Sequence, residues 1–305
     1  MNKLIYLDHA ATTPTRKEVV DAMLPYFLEN YGNPSSIYSF AAQNKDVVEE
    51  AREKVAEAIG ATDREIFFTS GGTESDNWAI QGIAENYKDK GNHIITTTIE
   101  HHAVLHTCEY LEKKGYEVTY LEVDSDGKIS LDELKAAIKE TTILISVMFA
   151  NNEVGTVQPI AEIGAIAKEA GVLFHTDAVQ AVGHIPVNVK EMNIDLLTLS
   201  GHKLYGPKGI GALYVKRGVR LRAFIHGGAQ EKKRRGGTEN VPSIVGFGLA
   251  IEKAVAVMAQ ESARQLELRD YLISEVLEKV PYCKLNGHAT DRLPNNVNIS
   301  FEFIE

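Results

Sequence analysis

Short runs of β-branched and aromatic residues alternate with amphipathic stretches through the first two thirds of the chain. The runs at 65–69, 93–97, 117–123, 143–149, 172–176, 196–200 and 212–215 each suit one strand. Ile143-Leu-Ile-Ser-Val-Met-Phe is apolar at nearly every position, as a strand covered on both faces should be. Between these runs the apolar residues fall at helical spacing. In 46–59, Val47, Val48, Ala51, Val55, Ala58 and Ile59 share one face, and Gly60 ends the helix. Ser130-Leu-Asp-Glu has the form of a capping box opening a helix to Lys139, and 159–170 is predicted as a helix closed by Gly171. Strands separated by helices of this length predict right-handed crossovers. The expected fold is α/β, a mostly parallel seven-stranded sheet with helices on both faces.

After Gly237 the pattern changes. Residues 244–280 are helical in character, dense in Ala, Glu and Leu, and stop at Pro281. Residues 296–304 alternate polar and apolar positions, the signature of a half-buried strand. A two-layer domain needs more chain after that strand, so the C-terminal unit is expected to be incomplete.

Composition narrows the function. The 305 residues carry 32 Lys+Arg against 42 Asp+Glu, a formal net charge of −10, which disfavours nucleic acid or anionic lipid as the main partner. No window approaches the roughly 18 consecutive apolar residues of a membrane span. The N-terminus has no long apolar core, so no signal peptide is expected and the cytoplasm is the default location. The two cysteines, Cys108 and Cys283, cannot build a disulfide framework or a four-thiolate zinc site.

Three segments carry candidate chemistry. Phe67-Phe-Thr-Ser-Gly-Gly-Thr-Glu-Ser is a strand entering a small-residue turn and then a helix. Its free N–H groups, with Gly72 admitting an anion and Thr73 adding a hydroxyl, suit a phosphate monoester. The same residues also suit an ordinary turn in which Ser and Thr only cap. No Lys follows the second glycine, so the Walker pattern is absent. Val172-Leu-Phe-His-Thr-Asp-Ala-Val-Gln delivers Asp177 to the end of a buried strand, where open α/β sheets bind ligands, with Gln180 three residues on. A surface Asp capping that turn is the alternative. Asp195-Leu-Leu-Thr-Leu-Ser-Gly-His-Lys delivers Ser200, His202 and Lys203 to another strand end; in a confined site the Lys amine pKa would fall, as imine chemistry requires. Taken alone, such a Lys is more often a solvated surface residue, and Lys208 is a decoy nearby. Together the segments offer a phosphate cradle, a carboxylate for a ring nitrogen and an amine for an aldehyde, the handles of pyridoxal 5'-phosphate. His102 and His106 are spaced i, i+4, but no zincin Glu accompanies them and no metal is expected.

With these segments and Tyr6-Leu-Asp-His-Ala-Ala-Thr-Thr-Pro, Tyr31-Gly-Asn-Pro-Ser-Ser, Glu100-His-His-Ala-Val, Asn151-Asn-Glu-Val-Gly-Thr and Arg234-Arg-Gly-Gly-Thr-Glu-Asn, the chain resembles the NifS/IscS-type cysteine desulfurases of the class V aminotransferase group. The resemblance covers essentially the whole chain. It implies the type I pyridoxal-phosphate fold, with an N-terminal segment 1–15 packing on the small domain, a large domain 16–245 and a small, truncated domain 246–305. It assigns Lys203 to the Schiff base and Cα proton transfer, Asp177 to the pyridine nitrogen, Gln180 to the phenolic oxygen and His101 to ring stacking and proton movement. Gly72, Thr73, Ser200 and His202 would hold the phosphate, and Asn152 would lie beside cofactor and substrate carboxylate. Thr238 would reach the phosphate of the neighbouring subunit, which implies a homodimer. The implied reaction takes sulfur from L-cysteine, leaving alanine, for a sulfur-acceptor or iron–sulfur scaffold protein.

The family's persulfide cysteine loop and its substrate-carboxylate Arg are expected beyond residue 305. Cys108 and Cys283 match neither and are expected to be structural thiols, so the chain by itself is expected to be incomplete for turnover. A selenocysteine lyase, a kynureninase-like hydrolase or a non-catalytic cofactor-binding scaffold are the alternatives. A nucleotide-binding dehydrogenase is disfavoured, since no Gly-x-Gly-x-x-Gly follows the first strand.

Overall fold

The computed structural model describes residues 5–304; residues 1–4 of the N-terminal segment and Glu305 lie outside the described residues. Seven short strands form one sheet: β1 (Ile66–Thr69), β2 (His93–Thr97), β3 (Glu117–Leu121), β4 (Thr142–Ser146), β5 (Leu173–Asp177), β6 (Leu196–Ser200) and β7 (Gly211–Val215). Their order is β1-β7-β6-β5-β4-β2-β3, and β7 alone runs antiparallel to its neighbours. The helices are α1 (Lys17–Met23), α2 (Pro25–Leu28), α3 (Ser39–Ala58), α4 (Gly72–Tyr87), α5 (His102–Glu112), α6 (Leu131–Ala137), α7 (Ile160–Ala170) and α9 (Val241–Lys279), with α8 (Gln230–Lys233) a single turn whose last three residues have positive φ. A two-stranded antiparallel ribbon, β8 (Cys283–Leu285) with β9 (Ile299–Phe301), follows α9.

Strand side chains alternate between two cores, as period two demands. Phe68, Ile95, Ile145 and Leu197 join α3, α7 and α9 on one face, whereas Phe67, Ile94, Leu144 and Leu196 join α4 and α5 on the other. Both faces are covered, which is why these strands read as continuous apolar runs. Ser130 caps α6 by accepting the Glu133 N–H at 3.3 Å, and Gly171 closes α7 at φ 67°.

Helix α9 is by composition long and apolar enough to cross a membrane, but half of its apolar window is buried. Val241, Ile244, Phe247, Ile251 and Ala254 belong to the same core as Val48, Ala51 and Val55 of α3. The helix runs unbroken through residues 245–246, where a domain boundary is expected. Residues 10–15 of the N-terminal segment hydrogen-bond to the β6–β7 connection and to Gln180: the Thr13 N–H donates to His202 O, and the Thr15 hydroxyl to Gly206 O. The alternating stretch 296–304 pairs only over Ile299–Phe301. Earlier in it, Asn296 instead donates to Glu153 O and accepts from Arg292.

Candidate active site

Strands β5 and β6 are parallel neighbours, with Asp177 in register with Thr198, so their C-terminal ends open at one edge of the sheet. The helix start of α4 reaches the same edge because Gly71 takes φ 148° and Gly211 packs against it; a Cβ on Gly211 would stand 2.8 Å from Gly71 Cα. The result is a cavity of about 420 Å³. Gly72, Thr73, His101, Asn152, Asp177, Gln180, Ser200, His202 and Lys203, nine of the ten residues singled out from the sequence, line it. The tenth, Thr238, is exposed and outside this cavity.

Each wall has its own chemistry. At the α4 start no side chain caps the helix, so the first-turn N–H groups beside Gly72 and Thr73 are left to an anion. Asp177 is 8 % exposed. Burial pushes its carboxyl up, while the Val179 N–H at 2.9 Å, His101 and Lys203 hold it back toward the charged form. The Lys203 amine donates to the carbonyls of Ala10 and Ala11. Burial lowers its pKa, and Asp177, Asp8 and Glu153 oppose that shift. Gln180 donates to the same Ala10 carbonyl at 3.0 Å. His202 is pushed down to about 4 by burial and by Lys203 and Lys208, so its ring is neutral at pH 7, with Nδ1 3.1 Å from the Thr12 hydroxyl. His101 is the N-cap of α5, where Nδ1 accepts the Ala103 N–H at 3.1 Å. Its neutral tautomer therefore carries the proton on Nε2. Asn152 donates to Glu153 at 2.8 Å.

Two buried carboxyls at or next to the cavity are given no role by the sequence. Asp76 of α4 is 1 % exposed, with Oδ1 unpartnered and 3.6 Å from His175 Nε2. Burial and the neighbouring Asp177 raise its pKa. A carboxylate inside a helix usually marks the solvent face, and its only signal is its place one turn after the two glycines. Glu100, fully buried behind the cavity, is pushed up to about 8 by burial and by Asp177, against the hydrogen bonds from Met148 N–H and Thr97. Neither cysteine lines the cavity. Burial pushes the Cys108 thiol up to about 12. Among the described residues no three His, Cys, Asp or Glu side chains are grouped to hold a metal ion.

The chain matches the aminotransferase class-V family over residues 5–305. It is 62% identical over 304 residues to the cysteine desulfurase IscS of Methanosarcina thermophila, covering all of this chain and 75% of that protein. Among solved structures, a NifS-like protein superposes with a TM-score of 0.96 at 41% identity, covering 99% of this chain and 83% of the other. SspA in complex with cysteine superposes with a TM-score of 0.87 at 42% identity, covering 98% and 84%.

Proposed function

This chain belongs to the aminotransferase class-V family, among its IscS-type cysteine desulfurases, and from that premise we propose that its cavity binds pyridoxal 5'-phosphate and removes sulfur from L-cysteine, leaving alanine. The observation that carries the reading is the meeting of the Lys203 amine, the Asp177 carboxylate and an uncapped helix start in one cavity. The residues fit the cofactor. Burial raises the Asp177 carboxyl's pKa, so a cation beside it is needed to hold it charged, which a protonated ring nitrogen would supply, and the unpaired α4 N–H groups call for an anion. When bound, pyridoxal phosphate supplies an aldehyde for amines and a ring that accepts the electron pair released at a substrate α-carbon.

The protein's own groups do the rest. Gly72, Thr73, Ser200 and neutral His202 bind the phosphate; neutral His202 adds a hydrogen bond rather than a charge. Asp177 would keep the ring nitrogen protonated, and Gln180, whose amide now donates to Ala10 O, would donate to the phenolic oxygen. Lys203 has its amine pKa lowered by burial, which raises the fraction of neutral amine available to hold the aldehyde and to take the α-proton. His101 would stack on the ring, and its Nε2 would be left to exchange a proton because Nδ1 is engaged by the Ala103 N–H. Asn152, which lines the same cavity, would lie beside the cofactor and the substrate carboxylate. The thiol that receives the sulfur is neither Cys108 nor Cys283, since neither lines the cavity. The chain spans about three quarters of the length of its IscS relative.

The working unit is a homodimer in the cytoplasm that passes sulfur to an acceptor such as an iron–sulfur scaffold protein. Support for the dimer comes from a run of exposed apolar side chains: Phe27 at 57%, Leu28 at 76%, Tyr31 at 70% and Ile37 at 104%. The reading is tested by adding pyridoxal phosphate and then cysteine with an excess of a small thiol, which stands in for the sulfur-receiving thiol that neither Cys108 nor Cys283 provides and then releases the sulfur as sulfide. A visible band that Lys203→Ala abolishes, followed by alanine and sulfide, is the expected result. A band that persists in Lys203→Ala refutes the site, and colour without sulfide favours a cofactor-binding scaffold for this chain.

A further inference from the structure

The connection between β7 and α9 holds an unusual piece of backbone. Glu231, Lys232 and Lys233 have φ of 44°, 57° and 67°. These are three successive left-handed residues, none of them glycine. Such residues are uncommon singly, and a run of three persists only where the surroundings over-determine it.

Those surroundings are a buried ion pair. Arg52 of α3 donates from Nη1 to Glu231 Oε2 at 2.8 Å and from Nη2 to Oε1 at 2.9 Å, with the two side chains 4% and 3% exposed. The Glu231 carboxylate also accepts the Phe68 N–H at 2.8 Å, and Arg52 donates to Ile66 O at 3.0 Å while lying over the Phe68 ring. Removing either partner strands a buried charge. Past the turn, Arg235 grips Glu74, in the first turn of α4, at 2.9 and 3.2 Å. Gly236 lies so close to Gly227 that a Cβ on it would stand 2.7 Å from Gly227 Cα. The next polar side chain after this close approach is exposed Thr238.

We propose that the buried Arg52–Glu231 pair is a positioning device. It holds the left-handed turn, fixes the arm 234–238 against the start of α4, and so holds Thr238 out for the cofactor phosphate of a second copy of this chain. The inference rests on the homodimer reading given above.

The test measures binding of pyridoxal 5'-phosphate, and of pyridoxal without the phosphate, to the full chain by visible absorbance. Lys233 is exposed, so Lys233→Val loads strain onto a φ of 67° without touching the core, and Lys233→Gly relieves it. Lys233→Val and Glu231→Gln should each weaken pyridoxal phosphate binding about tenfold, the factor by which the competent arm population falls. Pyridoxal binding should stay unchanged, and Lys233→Gly should match the native chain. Adding Lys233→Gly to Glu231→Gln should recover most of the loss. An equal loss for both ligands, or Val and Gly at 233 behaving alike, overturns the proposal. Thr238→Val separates it from its premise. If Thr238→Val leaves the preference for the phosphate form intact, the neighbour-site reading fails and takes the proposal with it. If Thr238→Val loses that preference while Lys233→Val keeps it, the dimer reading stands and the positioning role is refuted.

Discussion

Glu100→Gln should turn from nearly neutral to stabilising as pH rises. The Glu100 carboxyl is raised from 4.5 to about 8, first by burial and further by Asp177. Between those pH values the unfolded chain has lost the proton that the folded chain still holds. The stability contributed by that held proton is therefore full below about pH 4.5 and drains away as pH climbs to about 8. At about 1.4 kcal/mol per pH unit the total loss is about 5 kcal/mol. Gln keeps the shape, and its carbonyl oxygen still accepts from the Thr97 hydroxyl and the Met148 N–H, both at 2.8 Å in the native chain. Its amide N–H₂ would take the place of Oε2, which has no partner now, at a cost of about 1–2 kcal/mol. Near pH 5 the variant should thus lie within about 1–2 kcal/mol of the native chain. Near pH 8.5 it should be more stable by about 3 kcal/mol. Urea unfolding of both proteins at the two pH values, followed by the fluorescence of the single tryptophan, buried Trp78, measures this. A native-to-variant difference that does not change with pH would show that Glu100 is not a buried neutral acid.

Iodoacetamide should alkylate Cys283 well before Cys108 in the folded protein, because Cys108 is fully buried with its thiol pushed up to about 12; peptide mapping that finds Cys108 labelled first contradicts that burial. Gly211→Ala should cost about 1–3 kcal/mol in thermal unfolding and weaken pyridoxal phosphate binding, since its Cβ would meet Leu199 O at 2.5 Å and Gly71 Cα at 2.8 Å. Unchanged cofactor affinity would mean that the turn before α4 is not held by this contact.

How much the sequence discloses depends on whether a position is set by local pattern or by distant partners. Residues 93–97 and 196–200 are bounded correctly from the sequence, because a run buried on both faces is apolar throughout. Helix α3 begins at Ser39, ahead of the predicted start at 46, since its early turns are anchored by buried Asn44 donating to Asn30 O and Gly32 O. A polar anchor leaves no hydrophobic stripe. The reversal of β7 depends on the connection after Lys203 and on pairing with β1, and neither appears in the periodicity of 211–215. Nine of the ten cofactor-site candidates line one cavity, and most are legible as small or polar residues following apolar strands, a local contrast. Asp76 and the left-handed turn at 231–233 were hidden for the opposite reason: an Asp in a helix and a Glu-Lys-Lys run both resemble solvated surface, and only partners far along the chain reveal otherwise.

The most direct measurement is reductive trapping. The chain is loaded with pyridoxal phosphate, reduced with borohydride and digested, and the phosphopyridoxyl mass is assigned to a residue. The amine that shares the cavity with Asp177 predicts the adduct on Lys203, and on no peptide of Lys203→Ala. An adduct carried instead by Lys208, or scattered over surface lysines, would contradict the assignment from which the rest of the chemistry is argued.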